Sequence, residues 1–229
     1  MPNLLKQFDS FKRKTVDWFL QADQYVNDSI NSITYTDTRK TWKVSNKITI
    51  GWENVLPLPP ANYSETTKNE LLYLSKLTTN RTSEQTDLVK LVDDDPGHLF
   101  RRVAKKKGLE VPEDKFDKVW GLTYPIIMNL KWKFNRPRPS QLAEKYGISL
   151  DVIDSPTINS PAYPSGHSAI AAMWAYILSE EYPEHSSLFF REVSAAELAR
   201  CLQGVHYPSD NSAAMVITGA IWENIRYNI

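Results

Sequence analysis

YPSGHSAIAAMWAYIL, residues 163–178, decides the fold. Ile170, Met173, Trp174, Ile177 and Leu178 recur in it at the spacing of one helix face. Tyr163-Pro164-Ser165-Gly166-His167 leads directly into that run, so Ser165 and Gly166 sit where a helix begins and unpaired N–H groups can face an anion. Gly166, having no side chain, lets such an anion approach the backbone closely. Upstream, Phe116, Val119, Trp120, Thr123, Ile126, Ile127 and Leu130 form another helical face, with Pro112 suited to its first turn and Pro125 expected to kink it. Lys131 lies near the end of that segment, and Arg138 lies just beyond it, where Pro137 and Pro139 forbid continuation. Downstream, Leu188 to Leu202 reads as a helix carrying Arg200. Gly204 reads as its stop, and His206 and Asp210 follow. Asn211 to Tyr227 closes the chain, with Ala213, Val216, Ile217, Ala220, Ile221 and Ile225 as its buried stripe. An all-α bundle with the polar residues at one end is the predicted architecture.

The remaining segments fit one domain over residues 1–229: an N-terminal helix and wrapping connection at 1–63, and a helical core at 64–229. Leu4, Leu5, Phe8, Phe11, Trp18 and Phe19 predict a helix from Leu4 to about Ile33, and the breakers from Thr34 to Pro60 predict an extended connection. Thr67 with Glu70 has capping-box spacing, opening a helix through Leu71, Leu74 and Leu77. Ser83 to Val92 reads as a helix ending at the acidic turn Asp93-Asp94-Asp95. His98 to Lys107 reads as a helix closed by Gly108, with lysines in its last turn where the helix dipole favours cations. Ser140 to Tyr146 reads as a brief helix ended by Gly147, and Asp151 to Tyr163 as a loop delivering the chain to Ser165.

The 27 basic and 27 acidic side chains cancel, so no global field favours nucleic acid or an anionic membrane, and any anion affinity must be local. Cys201 alone cannot form an intrachain disulfide and reads as a buried, inert thiol. The four histidines have no zincin or paired-Cys spacing, so neither a metal nor a cofactor is expected. No apolar block of signal-peptide length follows the charged N-terminus. Ser168 to Leu178 and Ala213 to Trp222 fall short of the roughly 20 residues that span a bilayer. A cytoplasmic protein without an integral membrane segment is the expectation; oligomeric state is not legible.

Lys131, Arg138, Ser165, Gly166, His167, Arg200, His206 and Asp210 together supply cations, hydroxyl and amide donors, two histidines and a carboxylate. Phosphoryl transfer calls for that set: a clamp on the equatorial oxygens, a nucleophile in line, and an acid for the leaving oxygen. Each residue alone has a plainer reading. Lys131, Lys133, Arg136 and Arg138 suit a solvated basic face, Arg200 a surface pair with Glu197 or Glu192, and Asp210 the N-cap of the last helix. The apolar neighbours of Arg200 argue instead for a buried cation, which needs an anionic partner. Asp210, four residues after His206, is close enough to hold one imidazole nitrogen and leave the other free for attack. Trp132, Phe134, Tyr163 and Tyr207 flank these residues, with core packing the commoner duty for such aromatics.

The pattern Lys131-x6-Arg138-Pro139, Pro164-Ser165-Gly166-His167 and Arg200-x5-His206-x3-Asp210 resembles the superfamily of phosphatidic acid phosphatases type 2, bacterial class A acid phosphatases and vanadium haloperoxidases. The resemblance spans Phe116 to Ile225. Leu56-Pro57-Leu58-Pro59-Pro60 is similar to the proline-rich entry of the soluble bacterial members, and Ala199 departs from the serine usual before the last arginine. The resemblance implies a metal-independent hydrolase of small phosphomonoesters working through a phosphohistidine. In that scheme His206 attacks, Asp210 orients it, and His167 serves as acid and then base. Lys131, Arg138, Ser165, Gly166 and Arg200 hold the phosphate. Two alternatives stay open: a haloperoxidase with vanadate in the same cage, and a non-catalytic phosphate-binding module.

Overall fold

A computed structural model describes residues 51–228. The expected helix from Leu4 to Ile33, and the connection as far as residue 50, lie outside the described residues. Among the described residues the fold is all-α: an all-helical, single-domain bundle with no strand. Its helices are α1 (Glu65–Thr79), α2 (Ser83–Asp94), α3 (Gly97–Lys107) and α4 (Glu113–Phe134), followed by α5 (Pro139–Ala143), α6 (Gly166–Glu181), α7 (Ser186–Leu202) and α8 (Pro208–Ile225).

Helix α6 is the axle. Ala169, Ala171, Ala172, Met173, Trp174, Ala175, Ile177 and Leu178 are all buried, which places apolar residues around most of its circumference and makes it a central helix. Helices α7, α8, α4 and α3 pack around it. Trp174 lies face to face with Phe116 of α4, ring centroids 4.1 Å apart, and beside Phe100 of α3. That stack fixes α4 against α6, and so fixes Lys131, in the last turn of α4, relative to the first turn of α6.

Several local expectations change in detail. Helix α1 begins one turn earlier than the Thr67–Glu70 spacing implied: Ser64 is its N-cap, its Oγ accepting from the Thr67 N–H at 3.2 Å. Glu70 is thereby released from capping and turns inward. The capping box belongs to α2, where Thr82 and Gln85 satisfy each other's backbone N–H groups. Helix α4 spans Glu113–Phe134 with Pro125 inside it, and the expected kink there concerns its bend and not its extent. In α8, Val216 is 47% exposed, and Ala214, Thr218 and Trp222 complete the buried stripe instead. Gly108 and Gly147 close their helices in the left-handed region as expected.

Candidate active site

Three helix ends meet at one end of the bundle. The C-terminus of α4 supplies Lys131, buried, its Nζ donating to the carbonyl oxygens of Pro161 at 2.8 Å and Ala162 at 3.2 Å. Asn135 then takes the left-handed conformation, and Pro137 and Pro139 stiffen the turn into α5. Arg138 is held in that turn by the carbonyls of Ser160 and Val205, with its Nη1 2.8 Å from His206 Nε2.

The second end is the N-terminus of α6. Ser165 is its N-cap, Oγ accepting from the Ser168 N–H at 3.4 Å, and its own N–H donates to the Asp210 carbonyl. The Ser168 hydroxyl lies 2.9 Å from both Ser165 Oγ and Asn211 Oδ1, tying α6 to α8. Gly166 and His167 occupy the first two helical positions, where N–H groups have no intrahelical acceptor. A side chain at Gly166 would point toward Lys131, its Cβ meeting Lys131 Cε at 3.8 Å. The glycine thus keeps open the space between the helix end and the ammonium. His167 Nε2 stands 3.3 Å from the carbonyl oxygen of Asp93.

The third end joins α7 to α8. Gly204 adopts φ +78°, and a Cβ there would press on Val152 at 3.2 Å and Thr78 at 3.3 Å, so both its conformation and its surroundings call for glycine. This turn delivers His206, buried, beneath Arg138. His206 Nδ1 lies 3.0 Å from Asp210 Oδ2. A guanidinium carries only donors, so the Arg138 contact makes His206 Nε2 the acceptor and leaves the proton on Nδ1, facing the carboxylate. That tautomer presents an in-plane lone pair on Nε2.

Asp210 is not the N-cap of α8. Tyr207 is, and Asp210 sits three residues on, its Oδ2 taking the Tyr207 N–H at 3.0 Å as well as His206. Its other oxygen accepts from Arg136 Nη1 at 2.6 Å. Arg136 is likewise no part of a solvated face: its side chain is 1% exposed and stacks on the Tyr207 ring at 3.8 Å. It also donates to Ser209 Oγ at 2.7 Å and Glu70 Oε2 at 2.9 Å.

Arg200 is fully buried, and its partner is Asp93 at 2.6 Å, not Glu197 or Glu192; Gln203 and Thr157 take further donors. Glu192 faces Arg102 instead. Asp93, placed by the sequence in the acidic turn after Val92, lies in the last turn of α2. Its carboxylate also accepts from Ser155 Oγ, while its carbonyl faces His167.

A cavity of about 400 Å³ opens between these ends, lined by Lys131, Arg138, Gly166, His167 and His206 of the expected set. Ser165, Arg200 and Asp210 stand behind its wall, Arg200 reaching it through Asp93 and Thr157, which do line it. Trp120, Tyr124, Met128 and Ile170 supply an apolar side. None of the four flanking aromatics lines it. Tyr163, for one, packs edge-on against Phe134 and donates its hydroxyl to the Pro57 carbonyl at 2.6 Å.

The electrostatics follow from burial among cations. Burial, with Arg200 nearby, pushes His167 down to about 3, and burial with Arg138, Lys131 and Arg200 holds His206 well below the usual imidazole range. Both rings are therefore neutral at pH 7. Burial raises the Asp210 carboxyl, opposed by the Arg136 guanidinium and the Tyr207 N–H. Burial pushes the Cys201 thiol up to about 12, which suits an inert core cysteine. Among the described residues no group of three or more His, Cys, Asp or Glu side chains is placed to hold a metal ion. No helix among them is long and apolar enough to cross a membrane.

No curated protein matches the chain. A solved structure described as the first transmembrane PAP2 type phosphatidylglycerolphosphate phosphatase from Bacillus subtilis is similar at 17% identity, over 74% of this chain and 90% of that one, with a TM-score of 0.48. A family model described as the PAP2 superfamily matches residues 119–227. All the site residues expected from the sequence lie inside that stretch, whereas Glu70 and Asp93, which brace them, lie outside it; the segment that builds the site is the one similar to the PAP2 superfamily.

Proposed function

We propose that the chain is a phosphatase that hydrolyses small phosphomonoesters through a phosphohistidine at His206. The observation that carries this reading is the His206 imidazole, with Nδ1 toward Asp210 and the Nε2 lone pair toward a cavity that Lys131, Arg138 and His167 also line. A neutral imidazole in that tautomer is a competent nucleophile, and the carboxylate stabilises the ring as it becomes cationic.

The cations rest on protein acceptors: Lys131 on two carbonyls, Arg138 on His206, Arg200 on Asp93. A phosphoryl group takes over these donors. Its equatorial oxygens meet Lys131, Arg138 and the first N–H groups of α6, with Ser165 at the same helix end. Arg138 moving from Nε2 to phosphate frees the lone pair for in-line attack. Arg200 joins the clamp as the incoming dianion competes with Asp93 for its guanidinium.

In the first step Nε2 bonds to phosphorus while the P–O bond to the leaving group breaks, and His167 delivers a proton to the departing oxygen. The dianion is what makes His167 a proton carrier, since it raises a ring otherwise held neutral by burial and cations. In the second step neutral His167 takes a proton from water, whose oxygen attacks phosphorus and releases His206 and inorganic phosphate. The clamp is built of side-chain cations and helix-end N–H donors, so the scheme calls for no metal.

A panel of phosphomonoesters assayed with the wild type and His206→Ala, with and without chelator, tests this. Phosphate release abolished by the substitution and indifferent to chelation is the expected result. No release from any ester, or near wild-type release by His206→Ala, would sink it.

A further inference from the structure

Glu70 projects from α1 into the back of the site and is 11% exposed at its side chain. Its two oxygens are divided between the two parts that hold Asp210. Oε2 accepts from Arg136 Nη2 at 2.9 Å, and Oε1 accepts from the Ser209 N–H, in the first turn of α8, at 2.7 Å. Arg136 passes the contact on to Asp210 Oδ1 at 2.6 Å, and Asp210 Oδ2 holds His206 Nδ1 at 3.0 Å. The result is a hydrogen-bonded line, carboxylate to guanidinium to carboxylate to neutral imidazole, running from α1 to the candidate nucleophile. Arg136 is held in it by burial and by the Tyr207 ring, 3.8 Å from its guanidinium.

The charges explain why the line extends past Asp210 to Arg136 and Glu70. Asp210 is fully buried, and burial favours its neutral acid; the Arg136 guanidinium, donating to Oδ1 at 2.6 Å, opposes this and favours the carboxylate. A lone guanidinium so close would in turn draw the carboxylate's charge to itself and weaken the Nδ1–H hydrogen bond. Glu70 meets the other edge of the guanidinium and balances it.

We infer that Glu70 and Arg136 are positioning residues for His206, acting through Asp210 to fix its tautomer and its basicity without touching the phosphoryl group. The kinetic part of the inference rests on the phosphatase reading, whereas the tautomer part does not. Sequence spacing had given Glu70 a capping role, and the PAP2-like segment does not contain it, so its part in the site comes from the tertiary fold.

The test uses the full chain with ¹⁵N-labelled histidine and two variants, Glu70→Gln and Arg136→Lys. In the wild type, His206 should show a protonated Nδ1 with a strongly downfield proton and an unprotonated Nε2. Glu70→Gln, which keeps the shape and removes the charge, should move that proton upfield. The variant should also lower kcat by about 10- to 100-fold, the range seen when partners that orient a ligating histidine are removed. KM and the inhibition constant of inorganic phosphate should stay within about twofold, and Glu70→Asp should restore part of kcat. Arg136→Lys should give the same upfield shift if Glu70→Gln fails to fold. A His206 Nδ1–H signal unchanged from wild type in the folded variants would overturn the inference. Absence of phosphate release by the wild type would overturn the proposed function while leaving the NMR result to decide this one.

Discussion

Replacing Asp210 by asparagine changes one atom and should disable the nucleophile. Three donors converge on the carboxylate: His206 Nδ1 and the Tyr207 N–H at 3.0 Å on Oδ2, and Arg136 Nη1 at 2.6 Å on Oδ1. An amide has one acceptor end, so one side must face donor against donor. The charged guanidinium, with the shorter contact, should capture the carbonyl oxygen and turn the NH₂ toward His206. Nδ1 must then accept, the ring proton moves to Nε2, and the lone pair needed for attack is lost. The analogous substitution at the orienting aspartate of a serine protease triad lowers kcat by roughly 10⁴ through the same tautomer error. A loss of about 10³- to 10⁴-fold in kcat is therefore expected here. Breaking a buried ion pair on one side costs about 3–5 kcal/mol, but Glu70 still pairs Arg136, so the lower end applies. About 3 kcal/mol corresponds to a Tm drop of about 6–12 °C for a chain of this size. Steady-state kinetics on an aryl phosphate, thermal unfolding and histidine NMR would measure all three effects. An Asp210→Asn variant with kcat within tenfold of wild type would refute the tautomer argument.

His167→Ala should cost far more with alkyl phosphates than with activated aryl phosphates, because only the poor leaving group needs a proton in the first step; equal losses across a leaving-group series would remove His167 from that role. Gly166→Ala should weaken inhibition by inorganic phosphate and vanadate at least tenfold with little change in Tm, since the added methyl meets only Lys131 Cε at 3.8 Å and projects into the anion's space. Unchanged inhibition constants would show that the anion does not approach the first turn of α6. His167 and His206 have folded-state pKa values below the unfolded imidazole value, so the unfolded chain binds more protons as pH falls. Their contribution to stability is fully present above about pH 6.5 and is lost progressively as pH falls toward the folded values. A Tm that declines from pH 7 to pH 4, with a shallower decline in the His167→Gln, His206→Gln double variant, is the expected calorimetric result, and identical slopes would contradict it.

The helices were legible because their signals are local. Apolar spacing located α6, glycines with φ near +65° closed α3 and the turn after α5, and the three motif segments gave the residues that the fold gathers at one end of the bundle. What spacing could not give was the choice among partners. Thr67 and Glu70 have capping-box spacing, yet Ser64 caps α1 and Glu70 is drawn to a cation 66 positions away. Arg136 sits among Lys131, Lys133 and Arg138 and reads as one more surface charge; the packing of Tyr207 beneath it and the acids Asp210 and Glu70 beside it show otherwise. The burial of Arg200 was legible in its apolar neighbours, and the need for an anion with it. Which of the many acids answers that need depends on how α2 lies against α7, a tertiary fact that brings Asp93 within 2.6 Å.

Trapping the covalent intermediate tests the central claim most directly. The full chain is mixed with a ³²P-labelled phosphomonoester, quenched in alkali within the first turnovers, digested and mapped. The account expects label that is stable to alkali and released by acid, as a phosphoramidate is, on the peptide containing His206, and none in His206→Ala. Rapid phosphate release with no labelled peptide, or label on His167 instead, would contradict it.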